Sequence, residues 1–221
     1  MISILLVEDD EVIRKSVSMA LERYGYGVDA AADGLSGLES FLAGDHDLLL
    51  LDVMLPGLDG IGLCRRVREA GQVPILMMSA RGDSLDVVSG LEAGADDYVV
   101  KPVDIPVLVA RIRSLLRRVT APAPSSGVLA FGGLTVDPAA LEVRLDGRLV
   151  ELAPTELRLL LEFAAHPGIV LERATLLRNV WEYGWDGDSR VVDLCVQRLR
   201  KKIGPERIET VRGFGYKLRR S

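Results

Sequence analysis

Residues 48–60 read LLLLDVMLPGLDG: four consecutive leucines, an aspartate, then a segment broken by Pro56 and Gly57. An unbroken apolar run of this length suits a strand buried on both faces, the pattern of parallel sheets rather than of half-solvated antiparallel ones. Four more such runs surround it: Ile2 to Val7, Val28 to Ala31, Ile75 to Met78 and Tyr98 to Val100. Helical patterns alternate with them, clearest after Val103, where Ile105, Leu108, Val109, Ile112, Leu115 and Leu116 share one face. Five βα units predict an α/β domain built on a doubly wound, five-stranded parallel sheet, with ligands beyond the carboxyl ends of the strands.

The chain has 221 residues, 48% hydrophobic and 27% charged, which fits folded globular domains and argues against collagen, wholesale disorder and a disulfide scaffold. The stretch VTAPAPSSG, residues 119–127, neither continues a helix nor offers side chains to a core. It is read as a linker between a first domain, 1–118, and a second, 128–221. The second opens with short alternating segments, Leu129 to Phe131, Leu134 to Val136, Leu141 to Leu145 and Arg148 to Leu152, that predict a small antiparallel sheet. Helices are expected at Pro154 to His166, Arg173 to Val180 and Ser189 to Ile203, followed by a hairpin over Glu209 to Leu218 around Gly213 and Gly215. A winged helix-turn-helix α+β domain fits this order.

Net charge divides the chain. Residues 1–118 carry –7, residues 119–221 carry +2, and the 33 residues from Ser189 carry +7. An acidic front and a basic tail imply different partners. Met1 to Val7 has no basic segment and runs straight into Glu8 to Glu11, which is wrong for a secretory leader. No apolar stretch approaches the ~20 residues of a membrane span. Cys64 and Cys195 are too few and too far apart for a disulfide framework or a zinc site. A cytoplasmic location without membrane contact is therefore expected. Cys64 is read as a buried or half-buried thiol, and His46 and His166 as surface residues.

The predicted strand ends bring Glu8, Asp9, Asp52, Ser79 and Lys101 to one edge of the sheet. Any one of them alone suits an ordinary helix start or turn; the ordered set is what points to chemistry. Crowded carboxylates repel, and a hard cation such as Mg²⁺, which needs only one or two carboxylates and a carbonyl, resolves the conflict. Asp52 could then attack phosphorus, with Lys101 and the cation offsetting the developing charge.

Taken together, LLVEDD (5–10), LLLDVMLPGLDG (49–60), MMSARG (77–82) and GADDYVVKP (94–102) resemble a two-component response regulator of the OmpR/PhoB winged-helix subfamily. The resemblance implies a CheY-like, flavodoxin-like receiver phosphorylated on Asp52 by a sensor histidine kinase. It implies Mg²⁺ held by Asp9, Asp52 and the Met54 carbonyl, with Glu8 acting mainly through water. Ser79 and Lys101 would hold the phosphoryl group, Tyr98 would change rotamer as Ser79 moves inward, and Lys101–Pro102 would be cis. Receivers of this family pair through an α4-β5-α5 face, for which Asp97 with Arg111 and Asp96 with Arg118 are retained. A third bridge is replaced by Val87 and Val107, which with Val88 and Leu91 would enlarge an apolar centre of the homodimer. Val100 and Val103 depart from the usual Thr and Phe beside the switch.

In Ser189 to Ile203, Val192, Val196, Leu199 and Ile203 form a core stripe. Val191, Cys195, Arg198 and Lys202 then form a second row, and Arg190, Leu194, Gln197 and Lys201 a third facing away from the core. Exposed apolar groups among Arg and Gln fit a helix meeting thymine methyls and purine edges in a major groove. The resemblance assigns Arg190, Val191, Leu194, Cys195, Gln197 and Arg198 to bases or nearby phosphates, Arg200 and Lys201 to DNA backbone, and Thr210 and Arg212 to a wing at the minor groove. It also implies that the loop Trp181 to Asp188 meets RNA polymerase, although Trp181 equally suits a core. Ala153, before Pro154 and Glu156, lacks the side chain of a full capping box, a loss of roughly 1 kcal/mol.

Three readings follow. The leading one is a phosphorylation-controlled transcription factor that dimerises on paired half-sites of promoter DNA. A second keeps DNA binding but makes dimerisation independent of phosphate. The third, a phosphohydrolase of the haloacid dehalogenase type, lacks its second aspartate, because Met54 stands two residues after Asp52; the chain is not expected to be an enzyme.

Overall fold

A computed structural model describes residues 1–80, 84–117, 127–182 and 188–220. The chain divides into two compact units, Met1–Leu116 and Arg117–Ser221. In the first unit, β1 (Ser3–Val7), β2 (Gly27–Ala31), β3 (Leu48–Asp52), β4 (Ile75–Ala80) and β5 (Asp97–Lys101) pair in the order β2-β1-β3-β4-β5. All pairings are parallel. Helices α1 (Glu11–Arg23), α2 (Gly34–Ala43), α3 (Gly60–Ala70), α4 (Ser84–Ala93) and α5 (Ile105–Leu116) alternate with the strands. The doubly wound parallel sheet expected from the apolar runs is present. Leu48 to Leu51 lose all contact with solvent, as a strand covered on both faces requires.

Local chemistry starts the helices. Asp10 Oδ1 accepts hydrogen bonds from Val12 N and Ile13 N, and Asp33 Oδ1 does the same for Leu35 N and Ser36 N. Gly60 opens α3 against the end of β3: a Cβ there would lie 1.9 Å from the Asp52 carbonyl oxygen, so a larger residue would push the loop off the strand that carries the site. His46 differs from its expected surface position. Its ring is only 3% exposed and bonds Asp29 Oδ2 at 3.1 Å, because the residues before β3 fold back beside β2.

In the second unit β6 (Leu129–Phe131), β7 (Leu134–Asp137), β8 (Glu142–Leu145) and β9 (Arg148–Leu149) form an antiparallel sheet in sequence order. It is followed by α6 (Pro154–Ala165), α7 (Arg173–Leu176) with a π-helical turn at Leu177–Trp181, α8 (Arg190–Ile203) and the hairpin β10 (Ile208–Val211) and β11 (Gly215–Leu218). At α6 only half of a capping box forms. Ala153 has no side-chain acceptor, but its N–H donates to Glu156 Oε2 at 3.0 Å. Most of the stretch read as a linker, 119–126, lies outside the described residues.

Candidate functional site

At the carboxyl ends of β1 and β3, oxygens of Glu8, Asp9 and Asp52 lie within 4.8 Å of one another. Glu8 and Asp52 are buried and Asp9 is exposed. Parallel register makes this convergence, aligning Val7 with Leu51 and Ala80 with Lys101. Lys101 Nζ lies 2.8 Å from Glu8 Oε2 and 2.9 Å from Asp52 Oδ2. Burial pushes the Glu8 carboxyl above its usual range; Lys101 pulls it down and Asp52 pushes it up again. Burial alone would lower the Lys101 ammonium, but hydrogen bonds and charge from Glu8 and Asp52 outweigh it and raise its pKa. Lys101–Pro102 is cis, as the resemblance implied.

Three converging carboxylates are a hard-oxygen donor set that fits Mg²⁺, with exposed Asp9 on the solvent side. The Ser79 hydroxyl, one residue beyond Met78, which pairs with Asp52 in the sheet, is buried and has no hydrogen-bond partner among the described residues. Arg14 was not singled out from sequence. Its guanidinium donates to the carbonyls of Glu8 and Asp9 at 2.7 and 2.9 Å, holding the loop that presents both carboxylates. The signal available was its place one turn into α1, directly after the acidic run.

The α4-β5-α5 side corrects several expectations. Val87 and Leu91 are not a surface centre: they are 6% and 2% exposed and line a small cavity with Val53, Met77, Ser79 and Tyr98. Residues four apart on α4 share its inward face. Val88 is half-buried, while Val107 and Leu85 are 46% and 76% exposed. Asp96 is committed within the unit, accepting from Ile75 N at 2.9 Å and pairing with Arg68 at 2.5 Å. Its expected partner Arg118 lies outside the described residues. Asp97 and Arg111 pair inside the chain, at 2.9 and 3.0 Å from one guanidinium nitrogen. Burial pushes the Asp97 carboxyl from 3.8 up to about 6 even though Arg111 opposes the rise. The folded state therefore holds this proton more tightly than the unfolded chain does. The associated stability is full below about pH 4 and is lost as pH rises through about 6. A ¹³C NMR titration of the Asp97 carboxyl is expected to give a midpoint near pH 6, moving higher in Arg111→Ala; a midpoint near 4 would contradict this balance.

On α8 the expected rows are partly wrong. Val191, Leu194 and Cys195 are buried, at 2%, 7% and 0% exposure, so none meets DNA from an open face. The second row faces α6 instead of solvent: Arg198 pairs with Glu156 at 3.2 Å and Lys202 with the same carboxylate at 2.7 Å. Arg200 is turned to the hairpin, its Nε 2.9 Å from the Ile208 carbonyl and its terminal nitrogen 2.7 Å from Thr210 Oγ1, and it also lies over the Tyr216 ring. Tyr216 OH donates to Asp193 Oδ1 at 2.8 Å, and Arg173 binds the same carboxylate at 2.7 Å. Arg190 pairs with Asp188 at 2.6 Å. Gln197, Lys201, Thr210 and Arg212 are exposed. Trp181 is fully buried, and 183–187 of the adjoining loop lie outside the described residues.

Comparison with known families shows that residues 4–113 match the response regulator receiver domain and residues 147–218 the C-terminal domain of transcriptional regulatory proteins. The transcriptional regulatory protein CseB of Streptomyces coelicolor is 61% identical, over 98% of this chain and 97% of the relative. The chain belongs to the OmpR/PhoB-type response regulators. AfsQ1 of the same organism is 51% identical over 98% of this chain and 97% of its own length, and the Staphylococcus aureus response regulator ArlR is 40% identical over 99% and 100%. Among solved structures, the Thermotoga maritima OmpR/PhoB homologue DrrB is 34% identical with a TM-score of 0.53, covering 99% of both chains. A mutant of RitR is 27% identical with a TM-score of 0.76, covering both chains completely.

As an OmpR/PhoB-type response regulator, the chain joins a receiver to a DNA-binding domain, which implies a kinase and promoter DNA as partners. Receivers generally bind Mg²⁺ in an acidic pocket, and the regulator's Glu8, Asp9 and Asp52 form such a cluster. Family members regulate transcription. Among the described residues no helix is long and apolar enough to cross a membrane.

Proposed function

We propose that this response regulator accepts a phosphoryl group on Asp52 from a phosphohistidine of a sensor kinase, dimerises, and binds paired half-sites of promoter DNA. The observation that carries this is the convergence of Asp52, Glu8, Asp9 and Lys101 at the strand ends. An Asp52 oxygen attacks phosphorus as the P–N bond breaks and the imidazole leaves. Asp9, Asp52 and the Met54 carbonyl would hold Mg²⁺, which would supply positive charge beside the phosphoryl oxygens. Lys101 exchanges its hold on Asp52 for the phosphoryl oxygens, and Ser79 gives its unpartnered hydroxyl to them. Tyr98, beside Ser79 at the α4 cavity, follows it inward. The dimer face then centres on Val88 and exposed Val107, with Leu85 added, while the Asp97–Arg111 pair borders it.

In the second domain, α8 enters a major groove with Gln197 and Lys201 outward and Arg190 near its start. Thr210 and Arg212 follow the wing, and Arg198 and Arg200 act by holding α8 to α6 and to the hairpin. Contact with RNA polymerase falls to the loop containing 183–187. Light scattering with and without beryllofluoride and Mg²⁺ tests the switch. Wild type is expected to pass from monomer to dimer with the mimic, and Asp52→Ala to stay monomeric. Dimers of both proteins without mimic would favour the phosphate-independent reading, which exposed Leu85 and Val107 support.

A further inference from the structure

The loop between β1 and α1 is anchored at both ends and clamped in the middle. Glu8 N donates to the Ala31 carbonyl at 3.1 Å, carrying the pairing of β1 with β2 one residue further, and Asp10 Oδ1 caps α1 through Val12 N and Ile13 N. Between these anchors Arg14 Nη1 donates to two consecutive carbonyls, Glu8 O at 2.7 Å and Asp9 O at 2.9 Å. Successive carbonyls of an extended chain point to opposite sides. One nitrogen can take both only where the chain bends, so this contact fixes the bend at Asp9. Arg14 N donates in turn to the Asp10 carbonyl at 2.9 Å, which places the clamp on the first turn of α1. The three carboxylates of the cluster are not held alike. Lys101 binds Glu8 and Asp52 directly, whereas the Asp9 carboxylate is exposed and makes no hydrogen bond or ion pair among the described residues. Its direction is set through its own backbone, and that backbone is set by Arg14.

We propose that Arg14 is a positioning residue for the divalent cation: by clamping the Glu8 and Asp9 carbonyls it aims the Asp9 carboxylate at the Mg²⁺ site. This rests on the Mg²⁺ reading above and adds to it the group that orders its solvent-side ligand. A ligand that is already in place when the ion arrives loses less freedom on binding, which is how groups behind a metal ligand strengthen a site they never touch. The charge of the guanidinium acts in the opposite sense, because one cation repels another. If repulsion outweighed ordering, loss of Arg14 would tighten Mg²⁺ binding. Ordering prevails here because Asp9 has no second anchor, whereas the negative charge of three carboxylates already offsets the guanidinium. The sign of the effect is therefore itself a measurement of the clamp.

The test titrates MgCl₂ alone into the full chain by calorimetry, and separately follows phosphorylation by phosphoramidate, a small P–N donor, over a range of Mg²⁺. Arg14→Met keeps the apolar stem and removes the donors. It is expected to bind Mg²⁺ roughly ten-fold more weakly, the lower end of what loss of a group behind a metal ligand costs, and to need correspondingly more Mg²⁺ for half-maximal phosphorylation, with most of the rate returning at saturation. Arg14→Lys, whose ammonium can donate to both carbonyls, stays close to wild type. In an Asp9→Asn background the Arg14→Met change is expected to have no further effect on Mg²⁺ affinity, because its action passes through Asp9. Arg14→Met with Mg²⁺ affinity equal to or tighter than wild type overturns the proposal. So does a rate deficit that saturating Mg²⁺ leaves in place, or a loss that is simply additive with Asp9→Asn. Failure of the wild type itself to bind millimolar Mg²⁺ overturns the Mg²⁺ reading, and the proposal with it.

Discussion

Lys101→Ala is expected to lower the stability of the first unit by about 3–5 kcal/mol at neutral pH without divalent cation, the range found when one partner of a buried ion pair is removed. Lys101 is the only cation within salt-bridge distance of Glu8 and Asp52 among the described residues, and both carboxylates are almost fully buried. Without it they face each other uncompensated. Proton uptake by Glu8, whose carboxyl burial already pushes up, limits the loss. Mg²⁺ should therefore raise the melting temperature of Lys101→Ala more than that of wild type, because it supplies the charge that the ammonium had supplied. Thermal unfolding with and without millimolar MgCl₂ checks both halves. A variant that melts like wild type in both conditions would mean that the ammonium does not hold these carboxylates.

The second large effect is expected at Glu156. Its carboxylate is 2% exposed and gathers Arg198, Lys202 and the Ala153 N–H at the junction of α6 and α8. Glu156→Ala leaves two cations facing each other, one of them 12% exposed, and removes the acceptor of the Ala153 N–H at the start of α6. A loss of about 3–5 kcal/mol in the second unit follows, together with loss of DNA binding as α8 loses its support. Calorimetry should show the second unit melting well below the first. Lys202→Met should cost only about 1 kcal/mol or less, since that ammonium is 31% exposed and screened. Equal costs for the two variants would show that the carboxylate is stabilised by something other than this triad.

The two substitutions lie on opposite sides of what could be read from sequence. The Lys101 site was legible because parallel strands deliver their ends to one edge, so residue type plus strand-end position was enough. Strand limits were less so: β5 begins at Asp97 and ends at Lys101, taking in both charged residues that flank the apolar run. The Glu156 cluster was hidden because α8 buries two rows instead of one. The row Val191, Cys195, Arg198, Lys202 mixes apolar and basic residues, and in sequence alone that mixture suits a groove-facing surface. It is equally the mark of a helix packed along its first half and ion-paired along its second, and only the position of α6 distinguishes them. On α4 the same difficulty arose, since Val87, Val88 and Leu91 all look alike in sequence and the helix rotation decides which two are inside. Half of the α6 cap survived because Glu156 kept its reach to the Ala153 N–H.

Strand β3 carries Asp52 through the middle of the sheet, hydrogen-bonded to β1 on one side and β4 on the other, with four leucines sealed from water. In kinetic terms this makes its amides among the last in the receiver to exchange with deuterium, since they open only when most of the unit opens. The residue proposed to take the phosphoryl group thus stands at the end of one of the slowest-opening strands of its domain.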